Sequence, residues 1–219
     1  ATESFQEGVR FPPVKLIQAG RMNQDLLDIL AANSRLPMSN WGDLNGQLNA
    51  LDLGTRRFDA LLDEYGEATI DAAFEAFSLR AEALMKSAIR ALPNGVYAFE
   101  DYLDNDGITD ARLTIALDLT IADETMVLDF SRSSPPAQGP INISRATTIA
   151  ACYVALKHVF SEVPANAGVL GPIRFVIPEG SLLAAKWPKP VGGYTETILR
   201  MIDVPVVALA QAIAGRLTG

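Results

Sequence analysis

Ten residues in the middle of the chain, DYLDNDGITD (101–110), place four aspartates around an Asp-Gly step. Carboxylates at this density are typical of calcium sites, and an EF-hand loop needs acidic or amide ligands at positions 1, 3 and 5, Gly at 6 and Glu at 12. With Gly107 at position 6, positions 3 and 5 are aspartates, but positions 1 and 12 are Tyr102 and Leu113. The pattern therefore favours a turn in which aspartates bond the local backbone and Gly107 takes a positive φ.

The chain has one cysteine and one histidine, Cys152 and His158, which lie six residues apart on a predicted helix. This spacing turns the two side chains about 120° apart and separates them along the axis, so they cannot form a nucleophile–base pair. We expect Cys152 to be a small core residue and His158 to lie on the surface. The scarcity of both types excludes an intramolecular disulfide and disfavours a zinc site.

A glycine-rich stretch, VGGYTETILR (191–200), opens a predicted helix and offers backbone N–H groups that an anion can bind. Thr195 supplies ordinary capping chemistry, so a plain helix start is the favoured interpretation. Asn142 and Asn166 flank Gly or Pro positions at element ends, where an asparagine either caps the backbone or binds a substrate. The sequence has no motif of the serine hydrolases, the P-loop nucleotide binders or the dinucleotide-binding folds.

Composition limits the classes of partner. The 219 residues carry a net charge of −8, which disfavours nucleic acid because phosphate binding needs a positive surface. No apolar run approaches the roughly 20 residues that cross a bilayer, and the first residues lack the apolar core of a signal peptide. We therefore expect a cytoplasmic protein without membrane contacts. The chain begins without Met, which indicates a processed product or a piece of something longer.

Residues 1–93 are predicted to be mainly helical. The stretch 22–34 places its apolar residues on one helical face, and two apolar stripes with 4-3-4-3-4 spacing follow on either side of Gly66. The stripes predict a long antiparallel helical hairpin over residues 43–92. The first stripe is Leu44, Leu48, Leu51, Thr55, Phe58 and Leu62, and the second is Ile70, Phe74, Phe77, Ala81, Leu84 and Ala88.

Residues 94–219 are predicted to form an α+β segment. Alternating apolar residues over 96–103, 111–121 and 125–130 predict a three-stranded antiparallel meander with one buried face. Helices are predicted over 144–160 and about 195–216, and Pro205 should kink the second helix or mark its true start. The expected inward stripes are Ile149, Tyr153, Leu156 and Phe160 in the first helix, and Ile198, Ile202, Val206, Leu209 and Ile213 in the second. The predicted fold class is α+β, a helical hairpin followed by a meander with packed helices.

Nine stretches, spread along nearly the whole chain, carry a family resemblance through their order and density. They are EGVRFPPVKL (7–16), ANSRLP (32–37), GDLNGQLNAL (42–51), RRFDALLDEYG (56–66), NGVYAFEDYLDNDG (94–107), VLDFSRSSPPAQGPIN (127–142), ALKHVF (155–160), VPANAGVLGPIRFVIPEGSLLAAKWP (163–188) and TETILRMIDVPVVALAQA (195–212). Together they resemble the large B-type subunit of the hydantoinase/oxoprolinase family.

The resemblance implies that the chain is a central fragment of a larger, heteromeric enzyme. Similar subunits work with an A-type, ATP-binding partner to hydrolyse cyclic amides such as hydantoins, 5-oxoproline or lactams. Close relatives instead carboxylate ketones such as acetone or acetophenone. No cofactor is expected on this chain, whereas a divalent metal is expected on the missing N-terminal part and ATP on the partner. The isolated chain is expected to be inactive.

By position in the matching stretches, the resemblance points to five site residues. Asp129, Glu196 and Arg200 are expected to be catalytic, Asn142 and Asn166 to bind substrate, and no residue to ligate a metal. Arg200 lies one helical turn after Glu196, where it either pairs with that carboxylate or holds an anionic substrate group.

Two departures from the family pattern leave the substrate open. Arg132 stands where Gly usually follows the DF[ST] motif, and Tyr194 replaces the Asn of GN-x-ET. A second hypothesis, from a different class, is a structural or assembly module with the hairpin as its docking arm. Exposure of Leu48 and Phe77 in the absence of a partner would favour this second hypothesis.

Overall fold

The computed structural model describes residues 1–213, which divide into two compact units. One unit comprises Ala1–Glu7 together with the chain from Glu75 onwards, and the other comprises Gly8–Phe74. The α+β class is confirmed, since five α-helices accompany a two-stranded and a four-stranded sheet in the described chain. The predicted division at residues 93 and 94 stays a prediction.

The unit Gly8–Phe74 contains a small ladder and helices but buries none of its residues. Strands β1 (Ile17–Gln18) and β2 (Arg21–Met22) pair antiparallel, and helix α1 (Gln24–Ala32) follows. The predicted helix over 22–34 is confirmed for Gln24–Ala32, whereas Met22 belongs to β2 and Asn33 and Ser34 follow the end of the helix. Asn23 caps the helix by accepting a hydrogen bond from the Leu26 N–H at 3.3 Å.

Two long helices, α2 (Pro37–Tyr65) and α3 (Glu67–Arg90), meet at Gly66, and the antiparallel packing predicted over residues 43–92 stays a prediction. Gly66 has a φ of 78°, and the rings of Phe58 and Phe74, eight residues to either side, stack at 6.3 Å. The exposure that would favour an assembly module is found for Phe77 and only in part for Leu48. Phe77 is 60% exposed, Leu51 is 68% exposed and Leu48 is half-buried, so these side chains contact water.

The predicted meander is confirmed and is extended by one strand. Strands β3 (Gly95–Leu103), β4 (Leu113–Ala122) and β5 (Thr125–Asp129) pair antiparallel in that order. Strand β6 (Ile173–Val176) adds to β5 in parallel, and sequence analysis predicted only a short strand there without its partner. Apolar alternation buries one face, in which the inward side chains of β4 are at most 9% exposed.

Helices α4 (Arg145–Val159) and α5 (Tyr194–Ala212) pack on each other, and α5 packs on the inner face of β3 and β4. The predicted inward stripe of α4 is partly wrong, because its face against the core is built from smaller residues. Ala151, Cys152 and Ala155 are fully buried, whereas Ile149 and Tyr153 are only half-buried. Small side chains allow the two helix axes to approach closely, which hydrophobic periodicity alone does not reveal.

Helix α5 starts at Tyr194, so Pro205 lies inside the helix and does not mark its start. Its buried residues are Thr197, Met201, Val204, Pro205, Ala208 and Leu209, with Ile198, Ile202 and Val206 half-buried beside them. The buried face of α5 is therefore shifted by about one residue from the predicted stripe, because α5 packs against both α4 and the sheet. The last predicted helical residues, 214–216, lie outside the described residues. Within residues 1–213, no helix combines the length and apolar character needed to cross a membrane.

Candidate functional site

A cavity of about 520 Å³ lies between the turn after β3 and the first turns of α5. It is lined by residues 102–108, Pro140, Ile141, Glu196, Arg200 and Ala1. Two of the predicted catalytic residues, Glu196 and Arg200, therefore share one cavity with the aspartate-rich turn. They do so because residues four apart on a helix project from the same face.

Within the cavity, Arg200 pairs with a strand residue and not with Glu196. The Arg200 Nη1 lies 3.3 Å from Oδ2 of Asp101, which projects from β3 toward α5. The hypothesis of a Glu196–Arg200 ion pair is therefore wrong in this structure. The Glu196 carboxylate has no hydrogen bond or ion pair with any described residue. The cavity therefore contains the half-exposed guanidinium of Arg200, which Asp101 holds on one side. It also contains the carboxylate of Glu196, which is available to accept a hydrogen bond from a ligand.

Asp106 is a buried structural aspartate, only 3% exposed, at the back of this cavity. Its Oδ1 accepts from the N–H groups of Ile108 and Thr109 at 2.9 and 2.6 Å. Its Oδ2 accepts from those of Gln138 and Gly139 at 2.8 and 3.1 Å. Burial raises the pKa of Asp106, but the four backbone donors outweigh that effect and hold the pKa far below its ordinary value.

The turn interpretation of DNDG is confirmed by these contacts. Gly107 has a φ of 76°, and its N–H donates to Asn105 Oδ1 at 2.9 Å. The acidic turn ties itself to the loop at 137–139 through Asp106, whose two oxygens are both engaged. Within residues 1–213, no three His, Cys, Asp or Glu side chains converge in a way that could hold a metal ion.

Asn142 stabilises the loop that supplies Pro140 and Ile141 to the cavity wall. The residue is fully buried, its Oδ1 accepts from the Ala137 N–H at 2.7 Å, and its Nδ2 donates to the Gly139 and Pro190 carbonyls at 3.0 Å. Thr197 of α5, also fully buried, donates its hydroxyl to the Ile141 carbonyl. These contacts support a positioning role for Asn142, and its predicted contact with substrate stays a prediction.

The glycine-rich loop before α5 does bind a carboxylate, and that carboxylate belongs to the protein. Glu7 accepts hydrogen bonds from the Val191 and Gly192 N–H groups at 2.8 and 2.5 Å. Sequence analysis missed Glu7 as a partner of this loop, although it opens the first family-like stretch. Because 184 residues separate Glu7 from Val191, no spacing rule could have paired them.

Comparison with known proteins decides the family. The sequence profile described as hydantoinase B/oxoprolinase matches residues 1–219. The chain belongs to the hydantoinase B/oxoprolinase family. Curated relatives include the beta chain of the caprolactamase of Pseudomonas jessenii, 32% identical over 100% of this chain and 38% of the relative. The B chain of a putative D-/L-hydantoinase from a Pseudomonas species is 30% identical over 97% of this chain and 38% of the relative.

A solved structure supports the same membership. The ATP-dependent caprolactamase from Pseudomonas jessenii superposes with a TM-score of 0.87 at 28% identity. The match covers 98% of this chain and 38% of the caprolactamase chain. The present chain thus spans about two fifths of the length of the caprolactamase and hydantoinase chains compared above, and both curated relatives are named as subunits.

The other two predicted site residues of this family member lie away from the cavity lining. Asp129 ends β5, pairs in register with Asp118, and accepts from the Ser131 N–H at 2.8 Å. Register and strand alternation place it on the opposite face of the sheet from Asp101. Asn166 caps the 3₁₀ turn Ala167–Leu170, and its Nδ2 donates to the Phe77 carbonyl at 3.0 Å. Both predicted roles stay predictions.

Cys152 and His158 lie where sequence analysis expected them. Cys152 is fully buried, and burial raises the pKa of its thiol to about 12, so it carries no thiolate at neutral pH. His158 is exposed near the end of α4. Neither residue lines the cavity that contains Glu196 and Arg200.

Arg132, one of the two expected departures from the family pattern, forms a two-pronged ion pair with Asp118 across the outer face of the sheet. Its Nε and Nη2 each lie 2.8 Å from a different oxygen of Asp118. Hydrogen bonding to Arg132 lowers the pKa of Asp118, against a smaller opposing effect of burial. The ion pair with Asp118 therefore gives Arg132 a structural role. This pair lies on the face of the sheet opposite to Asp101.

We expect Arg132→Ala to lower the free energy of unfolding by up to about 1 kcal/mol near neutral pH, because the pair is half-exposed and screened. Since the folded-state pKa of Asp118 is lowered, this stabilisation is present above the ordinary aspartate pKa and is lost as pH falls through the folded-state value. Urea unfolding of parent and variant across the acidic range measures this. An equal difference at neutral and at strongly acidic pH would contradict the prediction. Arg174→Ala, an exposed arginine on β6, is the control.

Proposed function

We propose that this chain is part of the B-type subunit of a heteromeric, ATP-dependent hydrolase of cyclic amides, and that the 520 Å³ cavity holds the amide group of the substrate. Family membership and the curated relatives support the reaction class. The observation that carries the placement is Arg200, held by Asp101 at 3.3 Å beside the carboxylate of Glu196. A cytoplasmic location is part of the proposal, and the single buried cysteine, which cannot form an intramolecular disulfide, fits a reducing compartment.

The two side chains on α5 complement a cyclic amide. A ring forces its amide to be cis, so the carbonyl oxygen and the N–H point to the same side. Arg200 can donate to the carbonyl oxygen while Glu196 accepts from the N–H. Residues at i and i+4 place their β-carbons about 6 Å apart, which suits two groups that grip one amide. A charge-assisted donor at the carbonyl also stabilises the oxyanion that forms when a nucleophile attacks that carbon.

Asp101 gives Arg200 a fixed direction. Its carboxylate engages Nη1 at 3.3 Å and leaves the remaining N–H groups of the guanidinium for the substrate. The same carboxylate balances the arginine charge, so the cavity can accept a neutral amide. Asn142 and Thr197 keep α5 and the 137–142 loop in register, which preserves the spacing of Glu196 and Arg200 relative to the wall.

The proposal places ATP on an A-type partner subunit and a divalent metal outside this chain. The described residues do not supply a metal ligand set, so no step in this cavity is assigned to a metal. The chain spans 38% of the length of the caprolactamase and hydantoinase relatives, which leaves ample sequence for other groups of the active enzyme. The part played by the present residues is to bind and orient the amide and to stabilise charge on its carbonyl oxygen.

The test is an assay of the complete enzyme, purified with its A-type partner, against hydantoin, 5-oxoproline and caprolactam. We expect ring opening of at least one of these amides, dependent on ATP, with release of ADP. Glu196→Gln should lower kcat/KM for that amide by about tenfold or more, since the amide side chain offers a weaker acceptor. Asp203→Asn, on an exposed position of the same helix, is the control. ATP-dependent carboxylation of acetone or acetophenone without ring opening would overturn the proposal.

A further inference from the structure

The first residues of the chain bind the loop that leads into α5. The Ser4 N–H donates to the Pro188 carbonyl at 2.9 Å, and the ring of Phe5 packs edge-on against Trp187 at 5.3 Å between the ring centroids. The segment Ala1–Glu7 accordingly belongs to the same compact unit as α5. A terminal segment that is tied down in this way is part of the structure that presents the helix.

Glu7 makes the contact nearest to the start of the helix. Its Oε2 accepts from the Val191 N–H at 2.8 Å and its Oε1 from the Gly192 N–H at 2.5 Å, so both oxygens of the carboxylate are engaged. A β-carbon at position 192 would lie 2.9 Å from Oε1, so only glycine permits this approach without displacing the carboxylate. The next residue, Gly193, is the N-cap of α5 and has no side chain that could cap the helix. The charged acceptor on the two preceding residues therefore fixes the backbone at this end of the helix.

The same loop is also bonded to the wall of the cavity. The Gly193 N–H donates to the carbonyl of Pro140, which lines the cavity, at 2.9 Å. Glu196, the third residue of α5, and Arg200, one turn later, line the same cavity. Because hydrogen bonds hold successive turns of a helix together, the placement of both side chains depends on how the backbone enters the helix at 191–193.

We propose that Glu7 is a positioning residue of the amide site, which fixes the start of α5 and thereby the placement of Glu196 and Arg200. The inference rests on the proposed function for the identity of the group that these two side chains bind. Glu7 is not among the described residues that line the cavity, so it acts through the backbone of Val191 and Gly192. A misplacement of about 1 Å at a reacting site can lower a rate on the order of 100-fold.

The first test is amide hydrogen exchange of the complete enzyme, which does not require activity. Glu7→Gln keeps the size of the side chain but replaces one acceptor oxygen with an NH2 donor that faces a backbone N–H. We expect exchange at residues 194–198 to be at least fivefold faster than in the parent. Glu3→Gln is the matched control, because Glu3 is exposed, lies in the same segment and makes no capping hydrogen bond with its side chain. We expect its exchange rates to stay within twofold of the parent.

The second test is kcat/KM for the cyclic amide that the parent enzyme opens. We expect Glu7→Gln to lower kcat/KM by about tenfold and Glu3→Gln to leave it within twofold of the parent. Gly192→Ala should reproduce the effects of Glu7→Gln, since its β-carbon displaces the same carboxylate. In an Arg200→Ala background, Glu7→Gln should change kcat/KM by less than twofold, because the side chain whose placement Glu7 fixes is gone. A role confined to overall stability would lower kcat/KM by the same factor in both backgrounds.

Three results would each overturn the inference. They are exchange at residues 194–198 of Glu7→Gln within twofold of the parent, kcat/KM of that variant within twofold of the parent, and an equal loss of kcat/KM in the Arg200→Ala background. If the parent enzyme opens no cyclic amide, the proposed function fails. The exchange measurement then still decides whether Glu7 fixes the start of α5.

Discussion

Asp106→Asn is expected to lower the free energy of unfolding by about 2–4 kcal/mol, the largest stability change that we predict for a single isosteric substitution. The carboxylate has two oxygens, and each accepts from two backbone N–H groups. The amide side chain of the variant keeps one acceptor oxygen. Its NH2 group replaces the other oxygen and is a donor that faces two backbone N–H donors. Because Asp106 is only 3% exposed, water cannot replace the lost acceptor.

The pH dependence of this effect follows from the lowered pKa of Asp106. The folded-state pKa lies below the ordinary value of 3.8, so the stabilisation is complete above that value and is lost as pH falls through the folded-state pKa. Parent and variant should therefore converge in stability only at strongly acidic pH. Urea denaturation measured from neutral to acidic pH gives both quantities.

Asp104→Asn is the matched control, since Asp104 belongs to the same turn but is exposed. We expect its free energy of unfolding to change by no more than about 0.5 kcal/mol. If Asp106→Asn were equally mild, the four short contacts would not be the bonds that hold the turn against the 137–139 loop. The wall of the proposed substrate cavity would then need another explanation.

Arg200→Ala is expected to lower kcat/KM of the complete enzyme for its cyclic amide by about 100-fold or more, the largest change in activity that we predict. Removal of the guanidinium takes away the only basic side chain among the described residues that line the cavity. It also leaves Asp101 and Glu196 as uncompensated negative charges beside the carbonyl carbon that is attacked. Arg200→Lys should recover part of the activity, since the charge returns without the planar donor pair.

Arg174→Ala separates this effect from a general loss of positive charge. Arg174 is exposed on β6 and is absent from the cavity lining. We expect it to leave kcat/KM within twofold of the parent. The Tm of Arg200→Ala should stay within a few degrees of the parent, because the Arg200–Asp101 pair is half-exposed and contributes about 1 kcal/mol or less. Activity loss with normal folding is the combination that a substrate role requires.

Hydrophobic periodicity predicted the sheet well and the helical hairpin only in part. In both cases the periodicity reports an apolar face and not the residues that cover it. Alternation along β4 reports burial on one face, and the chain itself supplies α5 to cover that face. The 4-3-4 stripes on α2 and α3 also report an apolar face, but nothing in 8–74 buries it. Periodicity indicates that an element has an apolar face. It does not indicate whether the residues that cover this face belong to the same chain.

In the candidate site, sequence patterns could pair only residues that are close together in the chain. Glu196 and Arg200 can be placed together because they lie four residues apart on one helix. Asp101, which orients Arg200, lies 99 residues away, and Glu7 lies 184 residues from the loop that it binds. The DNDG turn can be predicted from the residues at positions 1 and 12 of the calcium-loop pattern, but its anchoring to 137–139 depends on tertiary structure.

The central claim is that Glu196 and Arg200 grip one amide group, and a double-mutant cycle on kcat/KM tests it most directly. The complete enzyme is assayed with its cyclic amide as parent, as Glu196→Gln, as Arg200→Ala and as the double variant. We predict strong non-additivity, with the double variant losing little more than Arg200→Ala alone, because both side chains act on the same group. A double variant whose loss of kcat/KM equals the product of the two single losses would contradict the claim.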